Sequence, residues 1–218
     1  MGQDHAGNKD VYRLAGMTSL GERRVRLIIL AGMPATGKST IARQLQQHFG
    51  YPVFEKDAIK ECLFDTIGFE GYPEKRQLDV AANTVLIEQI ERMLKAGASL
   101  IVDNNFDEES AAALKALLEK YQADTVTVFL TGDPQVLYER YFDRDSRKLR
   151  HLGHSRQTNY PPHPGESTEF TMTREGFDER FLKRKMDHMI WGGKRIDLDA
   201  TYPETIDVEE LIKRIETV

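Results

Sequence analysis

The sequence predicts an α/β fold, an open parallel sheet of five strands alternating with helices. Three observations carry this. Short β-branched or aliphatic runs recur along the chain, each followed by a stretch of helical periodicity. The first run passes straight into a glycine-rich loop and then a helix, in the order a phosphate-binding unit requires. A length of 218 residues suits one such domain with a small appendage and leaves no room for a second large one.

The first strand is Val25 to Ala31, aliphatic enough to be buried on both faces. Gly32-Met33-Pro34-Ala35-Thr36-Gly37-Lys38-Ser39 follows, a glycine, four free positions and Gly-Lys-Ser. Gly32 and Gly37 give the backbone freedom to wrap a triphosphate, with Met33, Pro34, Ala35 and Thr36 completing the wrap. Lys38 then reaches the β and γ oxygens, the Ser39 hydroxyl ligates Mg²⁺, and Thr40 opens a helix whose positive end faces the same phosphates. Gly50 stops that helix after Phe49.

The second strand, Tyr51 to Glu55, leads to a helix over Ala58 to about Thr66, with Asp57 at the N-cap position. Asp57 also lies at a strand's carboxyl end, where open parallel sheets bind ligands. Ile67 to Pro73 reads as an aromatic-bearing loop near Phe64, and a long amphipathic helix runs from about Glu74 to Ala96. The third strand, Ser99 to Asp103, again closes on an acid. Asp103 resembles the second nucleotide-site acid of phosphate-loop proteins, which helps hold Mg²⁺; Asn104 beyond it is an acceptor-side candidate, and a helix covers Asp107 to Tyr121.

Thr125 to Thr131 is the fourth strand, and Pro134 suits the first turn of the next helix. Arg140 and Arg144 stand four apart there, with Arg147 and Arg150 following. Either they pair with Glu139, Asp143 and Asp145 as a solvated face, or they stabilise charge on a transferring phosphoryl group. From His151 to Thr173 apolar periodicity disappears. Three histidines fall there without metal-site spacing. Arg174 to Met189 returns to helix, and the two segments together predict a lid. The fifth strand is Gly193 to Asp199, Tyr202 in the loop beyond it is a floor for an adenine ring, and Val208 to Val218 is a terminal helix.

The chain carries 30 Lys and Arg against 35 Asp and Glu, a net charge of -5 without a basic stripe, so nucleic acid is the less expected partner. Cys62 is the single cysteine, which excludes an internal disulfide, points to a reducing, cytoplasmic setting and reads as a small buried apolar residue. No apolar run approaches the roughly 20 residues of a membrane span. Residues 1–22 read as a polar, flexible leader ahead of a domain over 23–218. Nothing in the sequence fixes an oligomeric state.

The GMPATGKST loop, Asp57 with Lys60 on the next helix, Asp103 and the Arg140 to Arg147 cluster together resemble kinases of the zeta-toxin-like, chloramphenicol phosphotransferase-like and polynucleotide 5′-kinase-like group, from Arg24 to the C-terminus. The resemblance implies a P-loop NTPase three-layer sandwich, strand order 2-3-1-4-5 with a helical lid over about 140–190, and ATP with Mg²⁺. It also implies γ-phosphoryl transfer to a hydroxyl that Asp57 contacts and deprotonates. Lys60 stands where relatives often carry arginine, a point charge in place of a bidentate fork. The acidic balance favours a small-molecule alcohol as acceptor over a 5′-hydroxyl polynucleotide, which needs a basic channel. A nucleotide-sugar kinase and a nucleotide switch that makes no phosphorylated product are the other readings.

Overall fold

The computed structural model describes residues 25–106, 108–156, 158–169, 172–182 and 191–217; the proposed leader, residues 1–22, lies outside them. The chain opens with β1 (Arg26–Gly32), α1 (Lys38–Phe49), β2 (Val53–Glu55) and α2 (Lys56–Ile67). A two-residue strand β3 (Phe69–Glu70) precedes the long α3 (Tyr72–Lys95), and β4 (Leu100–Asp103), α4 (Glu108–Tyr121) and β5 (Asp124–Thr131) follow. Then come α5 (Pro134–Ser146), α6 (Leu152–Ser155), β6 (Asn159–Tyr160) and α7 (Arg174–Phe177), which runs into a π-helical turn at Asp178–Leu182. Strand β7 (Lys194–Asp199) and α8 (Val208–Glu216) end the fold.

The main sheet is parallel throughout, in the order β2-β4-β1-β5-β7. Counting only its five strands in chain order, this is 2-3-1-4-5. Strand β1 is central because its apolar run can be buried on both faces. Leu27, Ile29 and Ala31 meet Leu86 and Ile90 of α3 and Leu114 of α4. Ile28 and Leu30 meet Ile41 and Leu45 of α1 and Leu211 and Ile215 of α8. Helices therefore cover both faces. The register sets Asp103 opposite both Leu30 and Glu55, so β1, β2 and β4 end together along one edge. No helix among the described residues is long and apolar enough to cross a membrane.

Several local expectations are corrected. Helix α2 starts at Lys56 directly from β2, with Glu55 in extended geometry as its N-cap and no side-chain cap. Asp57 therefore sits inside the first turn, and its carboxylate is directed elsewhere. Cys62 is exposed on α2, not buried. The segment expected as the loop Ile67 to Pro73 contains β3, which pairs antiparallel with β6. That pairing forms because Phe64, Phe69 and Leu78 make a small satellite core against which Tyr160 packs. Within the stretch expected as a lid, which is not among these corrections, Tyr141 and Phe177 are buried in the main core, and a Cβ on Gly153 would meet the Phe64 ring at 2.4 Å. The end of the helix expected to Met189 lies outside the described residues.

Candidate active site

The glycine-rich loop is held by contacts specific to its backbone. Gly32 adopts φ +121°, and a Cβ there would come within 2.0 Å of the Leu130 carbonyl oxygen, so no other residue fits. The Asn105 amide grips Gly32 from both sides, accepting from its N–H at 2.7 Å and donating to its carbonyl at 2.9 Å. Thr36 is buried and donates to Met33 O at 2.8 Å, while Ala35 turns through positive φ at 59°. Gly37 is the N-cap of α1 without a side-chain cap, and the first turn has no acid. The positive end of the helix is thus open to a ligand.

Pro34, Ala35, Thr36, Gly37, Lys38, Ser39 and Thr40 all line one cleft of about 1180 Å³, as do Asp57, Lys60, Asp103, Asn104, Arg140 and Arg144. Lys38 Nζ donates to Met33 O at 2.7 Å and to Gly32 O at 3.3 Å. Burial lowers its pKa, with Asp103 and Asp57 pulling the other way. Ser39 Oγ donates to Asp103 Oδ2 at 3.2 Å. Burial pushes the Asp103 carboxyl up to about 6 against the pull of Lys38, with Asp57 and Glu55 adding to the rise. Two adjoining hard oxygens beside the loop lysine suit Mg²⁺.

Asp57 faces the same cleft with a different partner. Arg150 Nη2 donates to its Oδ2 at 2.8 Å. Burial acts to raise the Asp57 carboxyl, but His154, Arg150 and Lys56 outweigh it and hold the group well below the usual carboxylate range. Lys60 Nζ pairs with Asp79 Oδ1 at 2.6 Å. Asn104 is buried and donates to Asn83 Oδ1 at 3.2 Å, so it shapes the cleft wall.

The arginines separate by role. Arg140 donates to the carbonyls of Ala35 (2.6 Å), Ala200 (3.0 Å) and Thr201 (3.0 Å), tying the glycine-rich loop to the end of β7. Arg144 pairs through Nε with Asp145 at 2.8 Å, while its buried Nη2 has no hydrogen-bond partner among the described residues. Arg147 pairs with Asp143 at 2.7 Å at the solvent surface and does not line the cleft. As the C-cap of α5 it is carried past the last turn that faces inward. Tyr202 is 57% exposed and also lies outside the cleft lining, although its neighbour Pro203 lies beside Gly37. The three histidines of the long segment each take a separate acid: His151 with Asp65, His154 with Glu61 and His163 with Glu70. Among the described residues no cluster fit for a metal forms from His, Cys, Asp and Glu.

Residues not singled out from sequence complete the cleft. Arg150 stands at the end of the arginine series but outside the Arg140 to Arg147 cluster, and it is the arginine that engages Asp57. Asn105, Lys75 and Asp79 carry no spacing signal, because their roles depend on elements distant in the chain.

The chain resembles several known proteins. It is 26% identical to the pentafunctional AROM polypeptide of Zygosaccharomyces rouxii over 181 residues, 72% of this chain, but spans only 11% of that polypeptide. A candidate kinase from Chloroflexus aurantiacus j-10-fl superposes with a TM-score of 0.66 at 26% identity, over 90% of this chain and 97% of that one. A sugar kinase from Janibacter sp. HTCC2649 shares the fold with a TM-score of 0.52 at 18% identity, over 88% of this chain and 93% of that one. The shikimate kinase of Acinetobacter baumannii, solved with shikimate, does so with a TM-score of 0.52 at 13% identity, over 88% and 94%. The family model for an AAA domain matches residues 27–158, over half of the chain and including the whole glycine-rich loop, Asp57, Asp103 and the arginine series, so the chain belongs to the AAA-domain family.

Proposed function

We propose that this chain is an ATP-dependent kinase that transfers the γ-phosphoryl group to a hydroxyl of a small molecule. The observation that carries the reading is one cleft that Lys38 shares with two unlike acids. Asp103 is hydrogen-bonded to Ser39, and Asp57 is hydrogen-bonded to Arg150 with its carboxyl held low by His154, Arg150 and Lys56. A nucleotide switch needs the first acid and has no use for the second. The kinase names of the similar structures support the same reading, as does the resemblance to the zeta-toxin-like and chloramphenicol phosphotransferase-like group.

Lys38 and the open N-terminus of α1 would bind the triphosphate, and Ser39 with Asp103 would hold Mg²⁺. When bound, Mg²⁺ would neutralise charge on the β and γ oxygens. The acceptor oxygen bonds to the γ phosphorus as the bond to the bridging oxygen of ADP breaks. The hydroxyl proton passes to Asp57 Oδ1, since Arg150 engages Oδ2. Arg144, with one donor unengaged, would stabilise charge on the transferring group. The single cysteine fits a cytoplasmic setting for this activity.

The test is a phosphoryl-transfer screen against alcohols, sugars, aminoglycosides, nucleosides and 5′-hydroxyl oligonucleotides, read by phosphorylated product. A phosphorylated small-molecule alcohol is the expected outcome. ATP loss without product across the panel would favour the switch.

A further inference from the structure

We propose that the acceptor is a small anionic alcohol, one that carries a carboxylate or a phosphate besides its hydroxyl, and that Lys56 and Lys60 bind its negative group beside Asp57, with Lys75 buried behind them. This rests on the kinase reading and narrows its substrate class.

The walls of the cleft on α2 and α3 carry more cation than their acids compensate. Lys56 and Lys60 share a single carboxylate, that of Asp79, at 3.0 and 2.6 Å, and Arg76 also contacts it at 2.7 Å. Of the other acids lining this side, Asp57 is engaged by Arg150 and Glu61 by His154, and Glu55 stands at the start of α2. Lys75 is only 5% exposed, and its Nζ donates to the carbonyls of His154, at 3.0 Å, and Arg156. Among the described residues no carboxylate lies within ion-pairing distance of it. All three lysines line the cleft.

Burial above all, with Lys60, Arg180 and Arg150 acting the same way against Asp79, brings the pKa of Lys75 down to about 7. The lysines thus gather on one wall of the cleft inside a chain whose net charge is -5. Withdrawing cations from water without anions is unfavourable, so an arrangement of this kind suits a charged ligand. The phosphates of ATP do not supply that anion: they belong to the loop and α1, whereas these lysines stand on α2 and α3. The lysines are also recessed, with side chains of Lys56 and Lys60 only 18% and 12% exposed. A single-stranded polynucleotide instead requires a basic groove that follows its backbone along the surface.

The experiment uses the full chain with ATP and Mg²⁺ and three matched acceptor sets: polyols, hydroxy acids of the same carbon skeleton, and the polyol monophosphates. We expect kcat/KM for one anionic set to exceed that for the polyols by about 100-fold, as two charge-assisted hydrogen bonds allow. The winning set distinguishes carboxylate from phosphate. Lys56→Gln and Lys60→Gln should each raise KM for that acceptor about tenfold while KM for ATP is unchanged. Lys75 is too buried for its variant to separate binding from folding, so these two carry the test. Equal kcat/KM for polyols, or preference for a 5′-hydroxyl oligonucleotide, overturns the proposal and leaves the kinase reading standing. Calorimetric titration of the hydroxy acids and monophosphates, with a non-hydrolysable ATP analogue present, needs no turnover. Anion-selective binding that the two variants lose supports the proposal even if no product forms; no anion-selective binding overturns it.

Discussion

Arg150 donates through Nη2 to Asp57 Oδ2 at 2.8 Å, joining the segment after α5 to the first turn of α2 across the mouth of the cleft. The pair does two things. It fixes one carboxylate oxygen, leaving the other for the acceptor hydroxyl proposed above, and after His154 and together with Lys56 it holds the carboxyl below its usual range. So strongly stabilised a carboxylate attracts a proton weakly. That suits a loose phosphoryl-transfer transition state, in which the hydroxyl proton leaves late.

Replacing Asp57 by Asn is expected to lower kcat by about 10²–10⁴, the usual contribution of a positioned base. Arg150→Met should preserve activity at high pH while moving the acidic limb of the kcat/KM profile to higher pH. The sign follows from removing a cation that now holds the Asp57 carboxyl down. An unmoved limb in the pH profile would detach Arg150 from the base.

Lys38→Ala should reduce turnover by on the order of 10²-fold or more, as loss of a preorganised electrostatic group does. Asp103→Asn should instead raise the Mg²⁺ concentration needed for half-maximal rate. Rate measured against Mg²⁺ separates the two acids: metal rescues Asp103→Asn and leaves Asp57→Asn unrescued.

The arginines are expected to divide as their contacts do. Arg140→Ala strands three carbonyls at the junction of the phosphate loop and β7, and should cost about 2 kcal/mol or more of stability, seen as a lower Tm. Arg144→Ala should lower kcat more than it weakens ATP binding. Arg147→Ala should leave both within about twofold of wild type, because its partner Asp143 lies in solvent and such pairs contribute little.

Gly32→Ala should prevent folding of the loop, since the added methyl would lie 2.0 Å from Leu130 O at a φ that L side chains rarely adopt. Soluble yield and the thermal shift given by an ATP analogue measure this. Gly50→Ala has open space at its Cβ and should cost only about 1 kcal/mol, from its positive φ alone.

Lys75 gives a pH dependence of stability. Its pKa is about 7 in the folded chain against 10.5 for an unperturbed lysine, so the folded chain binds fewer protons between those values. The cost of charging it is fully present below pH 7 and disappears as pH rises toward 10.5, on the order of a few kcal/mol. Wild type should therefore gain stability relative to Lys75→Met between about pH 7 and 10, as Tm measured for both across that range would record.

The amino-acid sequence by itself determined the parallel α/β fold and the glycine-rich loop, because each rests on neighbours in the chain; the strand order was implied only by the resemblance. Gly32 to Ser39 follows an aliphatic strand and opens a helix, and that local order leaves one arrangement for the backbone. Asp57 and Asp103 were legible for the same reason, each being the acid at or just past a strand end. What only the tertiary structure decided are the partners. The carboxylate expected to cap α2 is instead held by Arg150, 93 positions away. The Asn105 amide grips Gly32 across 73 positions, and Lys75 ends on carbonyls 79 and 81 positions distant. Arg140 and Arg147 look alike in sequence and would share a face in a continuous helix, seven residues being about two full turns, yet Arg147 stands past the end of α5 as its C-cap and pairs at the solvent surface. Long-range pairs of this kind depend on how helices seat against the sheet, and that follows from the packing of the whole core rather than from any local pattern.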